Sequence, residues 1–254
     1  GHHVLVKEMI EFIKGLDFKS HLTDYITDSF AIQDGVAAPG RGFTSVPLPY
    51  RPKIIAGNVA TPEGVRDLAE WGADAVKVGI GGGAACSTRH QTGFHVPMFT
   101  CVKECSGQHS HQGYFDFQRF GPDGRPPIIA DGGIRENGDI AKSLVAGATI
   151  SMAGSLFAAC VNAPGENVYQ DVRQFGIAGD DNRPPTHKTY HGSASSRQKG
   201  ERKHVEGVEM EIPCNGLTVA EKMQEIKESL QSSVSYAGGK DLGAFKHVKW
   251  VEAE

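Results

Sequence analysis

Short apolar runs alternate with helix-like segments in the middle of the chain. Residues 53–59 (KIIAGNV) form an apolar run. Behind it, residues 61–63 (TPE) combine a hydroxyl for an N-cap, a proline for the first helical position and an acid for the first turn. This pattern predicts a strand and then a helix that reaches about Trp71, where Gly72 ends it. Residues 74–78 (DAVKV) predict the next strand.

Two more strand–helix units follow further along the chain. Residues 126–134 (PPIIADGGI) predict a strand with glycines behind it, and a helix is expected from about Gly138 to Val145. Residues 148–157 (ATISMAGSLF) predict another strand, a Gly-Ser turn and a short helix. Strands that alternate with helices are typical of a parallel sheet. The sequence therefore predicts an α/β fold whose functional loops gather at the carboxyl edge of the sheet.

The remaining segments are interpreted from their periodicity or the lack of it. Apolar residues recur at helical spacing in residues 1–16 and 217–236, which predicts a helix in each. Residues 247–251 (HVKWV) predict a final strand. Residues 17–50 are less periodic and are interpreted as an insertion or loop. Residues 162–216 are polar and glycine-rich, which predicts an irregular stretch that acts as a mobile active-site flap region or as a disordered insert.

Composition sets broad limits on the class of protein. The 254 residues are enough for one domain, residues 1–254, with a substantial core. Apolar residues make up 39% and charged residues 22%, which is ordinary for a globular protein. The net charge of -4 argues against binding to nucleic acid, and no apolar run approaches the roughly 20 residues needed to cross a membrane. Five cysteines without a secretory signal favour a cytoplasmic location.

The richest chemistry lies in residues 76–89 (VKVGIGGGAACSTR), directly after the predicted strand DAVKV. Four glycines in the seven residues before Cys86 allow the backbone to approach a ligand closely. Cys86 therefore places a thiol in the loop at the end of a strand, and Thr88 and Arg89 add a hydroxyl and a cation. A lone cysteine is more often an unreactive packing residue, but the glycine run favours a functional loop here.

Two other strand ends predict a site for a phosphorylated ligand. Residues 131–133 (DGG) and the pair Gly154-Ser155 each follow a buried strand and precede a helix. Backbone N–H groups in such loops bind anions, and the Asp131 carboxylate is suited to two hydroxyls of a ribose. The structural alternative is a pair of tight turns with Asp131 as a helix cap. Two loops of this kind in successive units favour the ligand.

A metal site is the alternative interpretation of four other residues. Cys101 and Cys105 stand four positions apart, and His109 and His111 follow shortly. We interpret the cysteines first as packing residues on one side of a helix. Structural zinc motifs place a much longer turn between their two ligand pairs, so the metal site is the less favoured interpretation.

Several segments resemble the IMP dehydrogenase and GMP reductase family. In chain order they are VKVGIGGGAACST (76–88), IIADGGI (128–134), MAGSLFA (152–158) and YHGSAS (190–195). The segment CSTRHQTGFHVP (86–97) looks like the reductase branch, and residues 160–216 lack the Arg-Tyr pair of the dehydrogenase flap. Residues 199–213 (KGERKHVEGVEMEIP) resemble the reductase flap, in which a glutamate precedes a glycine.

This resemblance implies a fold and an activity. The fold would be a (β/α)8 TIM barrel, apparently lacking the N-terminal βα units in this chain. The implied reaction is the NADPH-dependent reductive deamination of GMP to IMP and ammonia by a homotetramer that binds a monovalent cation, K+. The alternatives are an IMP dehydrogenase, a catalytically silent purine-nucleotide-binding homologue and, more distantly, a flavin-dependent barrel enzyme.

The resemblance also implies roles for individual residues. The catalytic residues would be Cys86, Thr88 and Glu206. The nucleotide would be held by Asp131, Gly133, Gly154, Ser155, Tyr190, Ser193 and Gly207. Cofactor-side or loop-supporting roles fall to Asn58, Lys77 and Arg89, and the backbone carbonyls of Gly81, Gly83 and Cys86 would bind the cation.

Three of these positions have simpler interpretations as well. Asn58 could cap the end of a strand, Glu206 could be a solvated charge, and Tyr190 could be a packing aromatic. The chain also departs from the family pattern, because Ala84 stands where a serine or basic residue is usual and Gly82 where the reductases carry proline. Segments 17–50 and 106–125 are longer than the family pattern leads us to expect.

Overall fold

The computed structural model describes residues 4–15, 53–107, 120, 124–169, 185–200 and 205–251. In chain order its elements are α1 Val4–Gly15, β1 Ile55–Val59, α2 Pro62–Trp71, β2 Ala75–Val78, α3 Thr88–Thr92, α4 Met98–Ser106, β3 Ile128–Asp131, α5 Asn137–Val145, β4 Ile150–Met152, α6 Ser155–Ala158, β5 Asn167–Val168, β6 His187–His191, α7 Ser196–Lys199, β7 Glu209–Pro213, α8 Val219–Tyr236 and a 3-10 helix Leu242–His247. The predicted insertion at 17–50 and both candidate metal-binding histidines lie outside the described residues.

Strands β1 to β4 form a parallel sheet in chain order, β1-β2-β3-β4. This confirms the predicted α/β fold, and strands that neighbour each other in chain order are typical of a TIM barrel. The predicted helix start is also confirmed, because the Thr61 hydroxyl accepts a hydrogen bond from the Gly64 N–H at 3.2 Å. Gly72 ends α2 in the left-handed conformation, with a φ of 111°.

One face of the parallel sheet packs against helices and forms the core. Val76 and Val78 of β2 are fully buried there, with Val65 and Leu68 of α2. Side chains alternate between the two faces of a strand, so Lys77 lies on the opposite face. That face also carries residues from the other strands, among them the exposed Ile55, Ile150 and Met152 and the acid Asp131.

Strands β5, β6 and β7 form a second, antiparallel sheet. The prediction of an irregular stretch at 162–216 is therefore wrong for the part of it that the structure describes. The sequence did not predict these strands because they are short and polar. Strands β6 (HKTYH) and β7 (EMEIP) each bury a single residue, Lys188 and Ile212, and these two residues are paired in the sheet. The predicted mobility of this region stays a prediction.

The C-terminal segment differs from its prediction. Helix α8 matches the expected span, but residues 248–251 do not form the predicted strand. The indole ring of Trp250 packs edge-on against Phe99, with 5.3 Å between the ring centroids, and the Lys103 ammonium lies 4.2 Å from the indole centroid. The segment is thus anchored to α4 by an aromatic contact. None of the helices in the described ranges combines the length and hydrophobicity needed to cross a membrane.

Candidate active site

The loop after β2 carries Cys86 across the end of the sheet. It starts at Gly79, whose φ is 130°. A Cβ at this position would collide with the backbone carbonyl of Asp131, so only glycine lets the loop pass the end of β3 so closely. The loop ends in a turn closed by the hydrogen bond from the Cys86 N–H to the Gly83 carbonyl, 3.1 Å long. Cys86 is half-buried at the carboxyl edge of the sheet.

A chain of hydrogen bonds joins Cys86 to Glu206 through Thr88. The Cys86 Sγ lies 3.3 Å from the Thr88 Oγ1, and the Thr88 hydroxyl donates to the Glu206 Oε2 at 2.6 Å. The second distance is typical of a short, charge-assisted hydrogen bond to a carboxylate. The structure therefore brings together the three residues predicted to be catalytic, in an order suited to passing a proton between the carboxylate and the region of the thiol.

Backbone contacts hold Glu206 in place independently of its side chain. Its carbonyl accepts from the Ser87 N–H at 2.8 Å, and its own N–H donates to the Ala194 carbonyl at 3.2 Å. The next residue, Gly207, forms single β-bridges with Cys86 and with Ser195. A Cβ on Gly207 would lie 2.7 Å from the Ser195 nitrogen, so a glycine is required between these two backbones. Gly207 thus has a clear backbone role, and its predicted nucleotide contact stays a prediction.

Asp131 is the centre of a polar cluster at the ends of three strands. Its Oδ2 accepts from the Lys77 ammonium at 2.5 Å and from the Asn58 amide at 3.0 Å. The same Asn58 amide donates to the Gly79 carbonyl at 2.8 Å. The resemblance implied cofactor-side or loop-supporting roles for Asn58 and Lys77, and those roles stay a prediction. In the structure both side chains contact the carboxylate predicted to hold the ribose.

The predicted phosphate loop lies beside Tyr190. Gly154 precedes α6, and a Cβ on Gly154 would collide with the Tyr190 hydroxyl. Burial, and then the nearby charge of Asp131, raise the pKa of Tyr190 above its usual value. The N–H of Gly133 donates to the Gly82 carbonyl at 2.9 Å, so this group is already engaged. Ser155 is half-buried at the start of α6, where the first N–H groups have no partner within the helix.

Two other residues predicted to bind ligands, Ser193 and Arg89, are exposed to solvent. Ser193 is exposed in the turn after β6, and Arg89 is exposed on α3 with its guanidinium 3.4 Å from the His90 ring. Within the loop predicted to bind the cation, the Gly83 carbonyl faces the Cys86 N–H, as described above. Among the described residues, no group of three or more His, Cys, Asp or Glu is arranged to hold a metal ion.

The two cysteines of α4 are packing residues, as first interpreted. Cys101 and Cys105 are both fully buried in the core against α2 and the parallel sheet. The hydrogen-bonded Cys101 thiol, and then burial, raise the pKa of Cys105 far above its usual value. Both side chains are thus part of the apolar core, which supports the packing interpretation.

Lys188 is a supporting residue that the sequence did not single out within the polar stretch 162–216. Its side chain is 2% exposed, and its ammonium donates to the backbone carbonyls of Ala163 and, at 3.5 Å, Val161. Lys188 lies two residues before Tyr190 on β6, so both side chains point to the same face of the strand. This spacing was the available signal, but nothing in a polar five-residue strand indicated which face is buried.

A family model described as IMP dehydrogenase / GMP reductase domain matches residues 47–253. Curated relatives named GMP reductase are 44–46% identical over 200 residues, which is 78% of this chain and 53–54% of each relative; they include proteins of Ligilactobacillus salivarius, Mesoplasma florum and Staphylococcus carnosus. The chain thus spans about half the length of the curated relatives it matches.

The fold is also similar to that of a solved GMP reductase structure. The GMP reductase of Trypanosoma brucei in complex with GMP aligns with a TM-score of 0.61 and 30% sequence identity. The alignment covers 77% of this chain and 37% of the Trypanosoma chain.

Proposed function

Because the chain belongs to the IMP dehydrogenase / GMP reductase family, we propose that it takes part in the NADPH-dependent reductive deamination of GMP. The overall balance is GMP, NADPH and a proton giving IMP, ammonia and NADP+. The observation that carries the proposal is the hydrogen-bonded chain from Cys86 through Thr88 to Glu206. The relatives named GMP reductase support the choice of this reaction over oxidation of IMP.

Cys86 is the nucleophile in this proposal. Its thiolate adds to C2 of the guanine ring and forms a C–S bond, and the exocyclic amino group leaves C2 as ammonia. The purine is then bound covalently to Cys86. When bound, NADPH supplies the hydride that is transferred to C2, and cleavage of the C–S bond releases IMP and the thiolate.

Thr88 and Glu206 move the protons. An amino group is a poor leaving group unless it is protonated, so a donor must lie next to C2. The Thr88 hydroxyl is 3.3 Å from the attacking sulfur and hydrogen-bonded to Glu206, so it can give a proton to the leaving nitrogen and recover one from the carboxyl group. Glu206 is the proton reservoir of this relay.

The nucleotide is held at the neighbouring strand ends. Asp131 accepts hydrogen bonds from the ribose hydroxyls. The phosphate is held by the backbone N–H groups of Gly154 and Ser155 and by the Tyr190 hydroxyl, which lies against Gly154. Gly133, whose N–H donates to the Gly82 carbonyl, lines the same pocket in this proposal without donating to the phosphate. Ser193 and Gly207 complete the nucleotide contacts in this proposal.

The two remaining groups of the proposal are the cofactor NADPH and the cation K+. Arg89 is exposed one residue after Thr88, and a guanidinium pairs well with a dinucleotide phosphate, so Arg89 would hold NADPH. Backbone carbonyls are the usual ligands of K+, and those of Gly81, Gly83 and Cys86 would hold it. The proposal also includes a cytoplasmic homotetramer, on the basis of the family resemblance.

A spectrophotometric assay of the 254-residue chain tests the proposed function. With GMP present we expect loss of the NADPH absorbance and an equimolar release of ammonia. Cys86→Ala should abolish both, whereas Cys214→Ala should not, since Cys214 is another half-buried free cysteine but lies outside the site. Reduction of NAD+ with IMP alone would identify a dehydrogenase. Binding of GMP without turnover would identify a catalytically silent nucleotide-binding homologue.

A further inference from the structure

Two side chains converge on the same oxygen of Asp131. The Lys77 ammonium and the Asn58 amide both donate to Oδ2, at 2.5 and 3.0 Å. Neither uses Oδ1, and no other described residue donates to it. The side chain of Asp131 is 25% exposed, so the carboxylate is partly accessible to a ligand.

The register of the sheet creates this arrangement. Lys77 lies opposite Ile129 on β3, and Asp131 is two residues further along β3, so the two charged side chains share a face. Asn58 lies at the end of the adjacent β1 and also binds the Gly79 carbonyl at 2.8 Å. The carboxylate is therefore tied to the ends of both β1 and β2.

We propose that Lys77 and Asn58 are positioning residues, which hold Asp131 by Oδ2 so that Oδ1 faces the nucleotide and accepts its ribose hydroxyls. This inference rests on the proposed function, because it takes the ligand to be a purine ribonucleotide. It assigns to Lys77 and Asn58 a role in recognising ribose, which differs from the cofactor-side or loop-supporting role that the resemblance implied.

The chemistry of the two donors suits this role. An ammonium and the nitrogen of an amide can only donate, so Oδ2 is fixed as an acceptor and the carboxylate cannot rotate without losing two hydrogen bonds. The ammonium also compensates a negative charge that would otherwise repel the phosphate of the same ligand. Tyr190, at the predicted phosphate loop, is near enough to Asp131 to be affected by that charge.

The test compares the binding of GMP with that of its dideoxy analogue, which lacks both ribose hydroxyls. Calorimetry on the full chain gives a preference, defined as the ratio of the two dissociation constants. Hydrogen bonds to a charged acceptor contribute about ten- to hundredfold to affinity, so the wild-type chain should prefer GMP by about that factor. In Lys77→Met the preference should fall by about tenfold, through weaker binding of GMP and nearly unchanged binding of the analogue.

A matched control is available at the other end of the same sheet. Lys53 pairs with Asp74 at 3.3 Å, and its side chain is exposed. Lys53→Met therefore removes a Lys–Asp pair from the sheet but leaves Asp131 untouched, and it should keep the wild-type preference. Asn58→Leu is the second test variant, and it should lower the preference in the same direction as Lys77→Met. Thermal unfolding of each variant confirms that the preference is measured on folded protein.

The outcomes separate this inference from the proposed function. A wild-type preference that persists in folded Lys77→Met or Asn58→Leu would overturn the positioning role, whether or not the chain oxidises NADPH. A wild-type chain with no preference would overturn it too. If Lys77→Met loses the preference while the wild-type chain shows no turnover with GMP and NADPH, the positioning role stands and the proposed reaction is wrong.

Discussion

Replacing Glu206 with glutamine tests the proton relay with little change in shape. A glutamine side chain can still accept the hydrogen bond that Thr88 donates at 2.6 Å, but it cannot take up or release a proton. The backbone around residue 206 is held by Ser87 and Ala194 through hydrogen bonds that do not involve the side chain. The substitution therefore removes the proposed proton reservoir and leaves the loop where it is.

The expected fall in kcat follows from the loss of general acid–base catalysis. General acid–base catalysis by a positioned side chain contributes about a hundredfold to ten-thousandfold in rate. This corresponds to about 3–5 kcal/mol of activation free energy. We expect kcat of Glu206→Gln to fall by that factor. The dissociation constant of GMP should change by less than about threefold, since the relay is used only during reaction.

Glu209→Gln is the matched control. Glu209 lies three residues further along the same segment and pairs on the surface with Arg197 at 2.8 Å. An exposed ion pair contributes about 0–1 kcal/mol to the stability of the fold, so its loss should not unfold the protein. Because Glu209 is not part of the proposed relay, kcat should stay within about threefold of the wild type. Steady-state NADPH oxidation gives kcat, and calorimetry gives the affinity for GMP. An unchanged kcat in Glu206→Gln, or an equal fall in both variants, would show that Glu206 is not the proton reservoir.

Two further predictions address the phosphate loop and the longest helix. Gly154→Ala should raise the dissociation constant of GMP by about tenfold, because the added Cβ collides with the Tyr190 hydroxyl. Gly138→Ala is the control, because its Cβ meets open space and should leave the dissociation constant unchanged. Equal affinities of the two variants for GMP in a binding titration would refute this prediction. Hydrogen bonds from the Thr218 backbone and then its hydroxyl lower the pKa of Glu221, so its carboxylate stabilises the fold at neutral pH and this stabilisation is lost as the pH falls below about 4. Urea unfolding should therefore show Glu221→Gln less stable than the wild type near neutral pH and closer to it near pH ~3, and a difference that does not depend on pH would contradict the sign.

Local signals predicted the parallel sheet well. Thr61 caps the first turn of α2 with its hydroxyl, and Gly72 ends the helix in the left-handed conformation. Both signals are local, so no knowledge of distant contacts was needed. The alternation of apolar runs and helix signals predicted a parallel sheet, and the structure adds the order of its strands. The antiparallel sheet carried no such signal, since β5 is two residues long and β6 and β7 alternate weakly in polarity.

The site was predictable where its residues stand in a recognisable motif. Cys86 and Thr88 are two residues apart in one motif, and the structure places them within hydrogen-bonding distance. The contacts of Asn58 and Lys77 depend on the register between three strands, which the sequence does not reveal. The resemblance implied only a cofactor-side or loop-supporting role for these two residues, because it carries no distances.

The bridge between Gly207 and Cys86 has a consequence for how the site is lost. The amides of Ser87 and Val208 donate across this bridge, to the carbonyls of Glu206 and Ala85. Cys86 and Glu206, the proposed nucleophile and the proposed acid, are 120 positions apart in the sequence. These main-chain hydrogen bonds hold their two loops together and must break before either loop can move away. We expect the amide protons of Ser87 and Val208 to exchange with solvent in one opening event. Partial unfolding would then displace Cys86 and Glu206 together, and no partly unfolded state would keep the Cys86 thiol in place without Glu206.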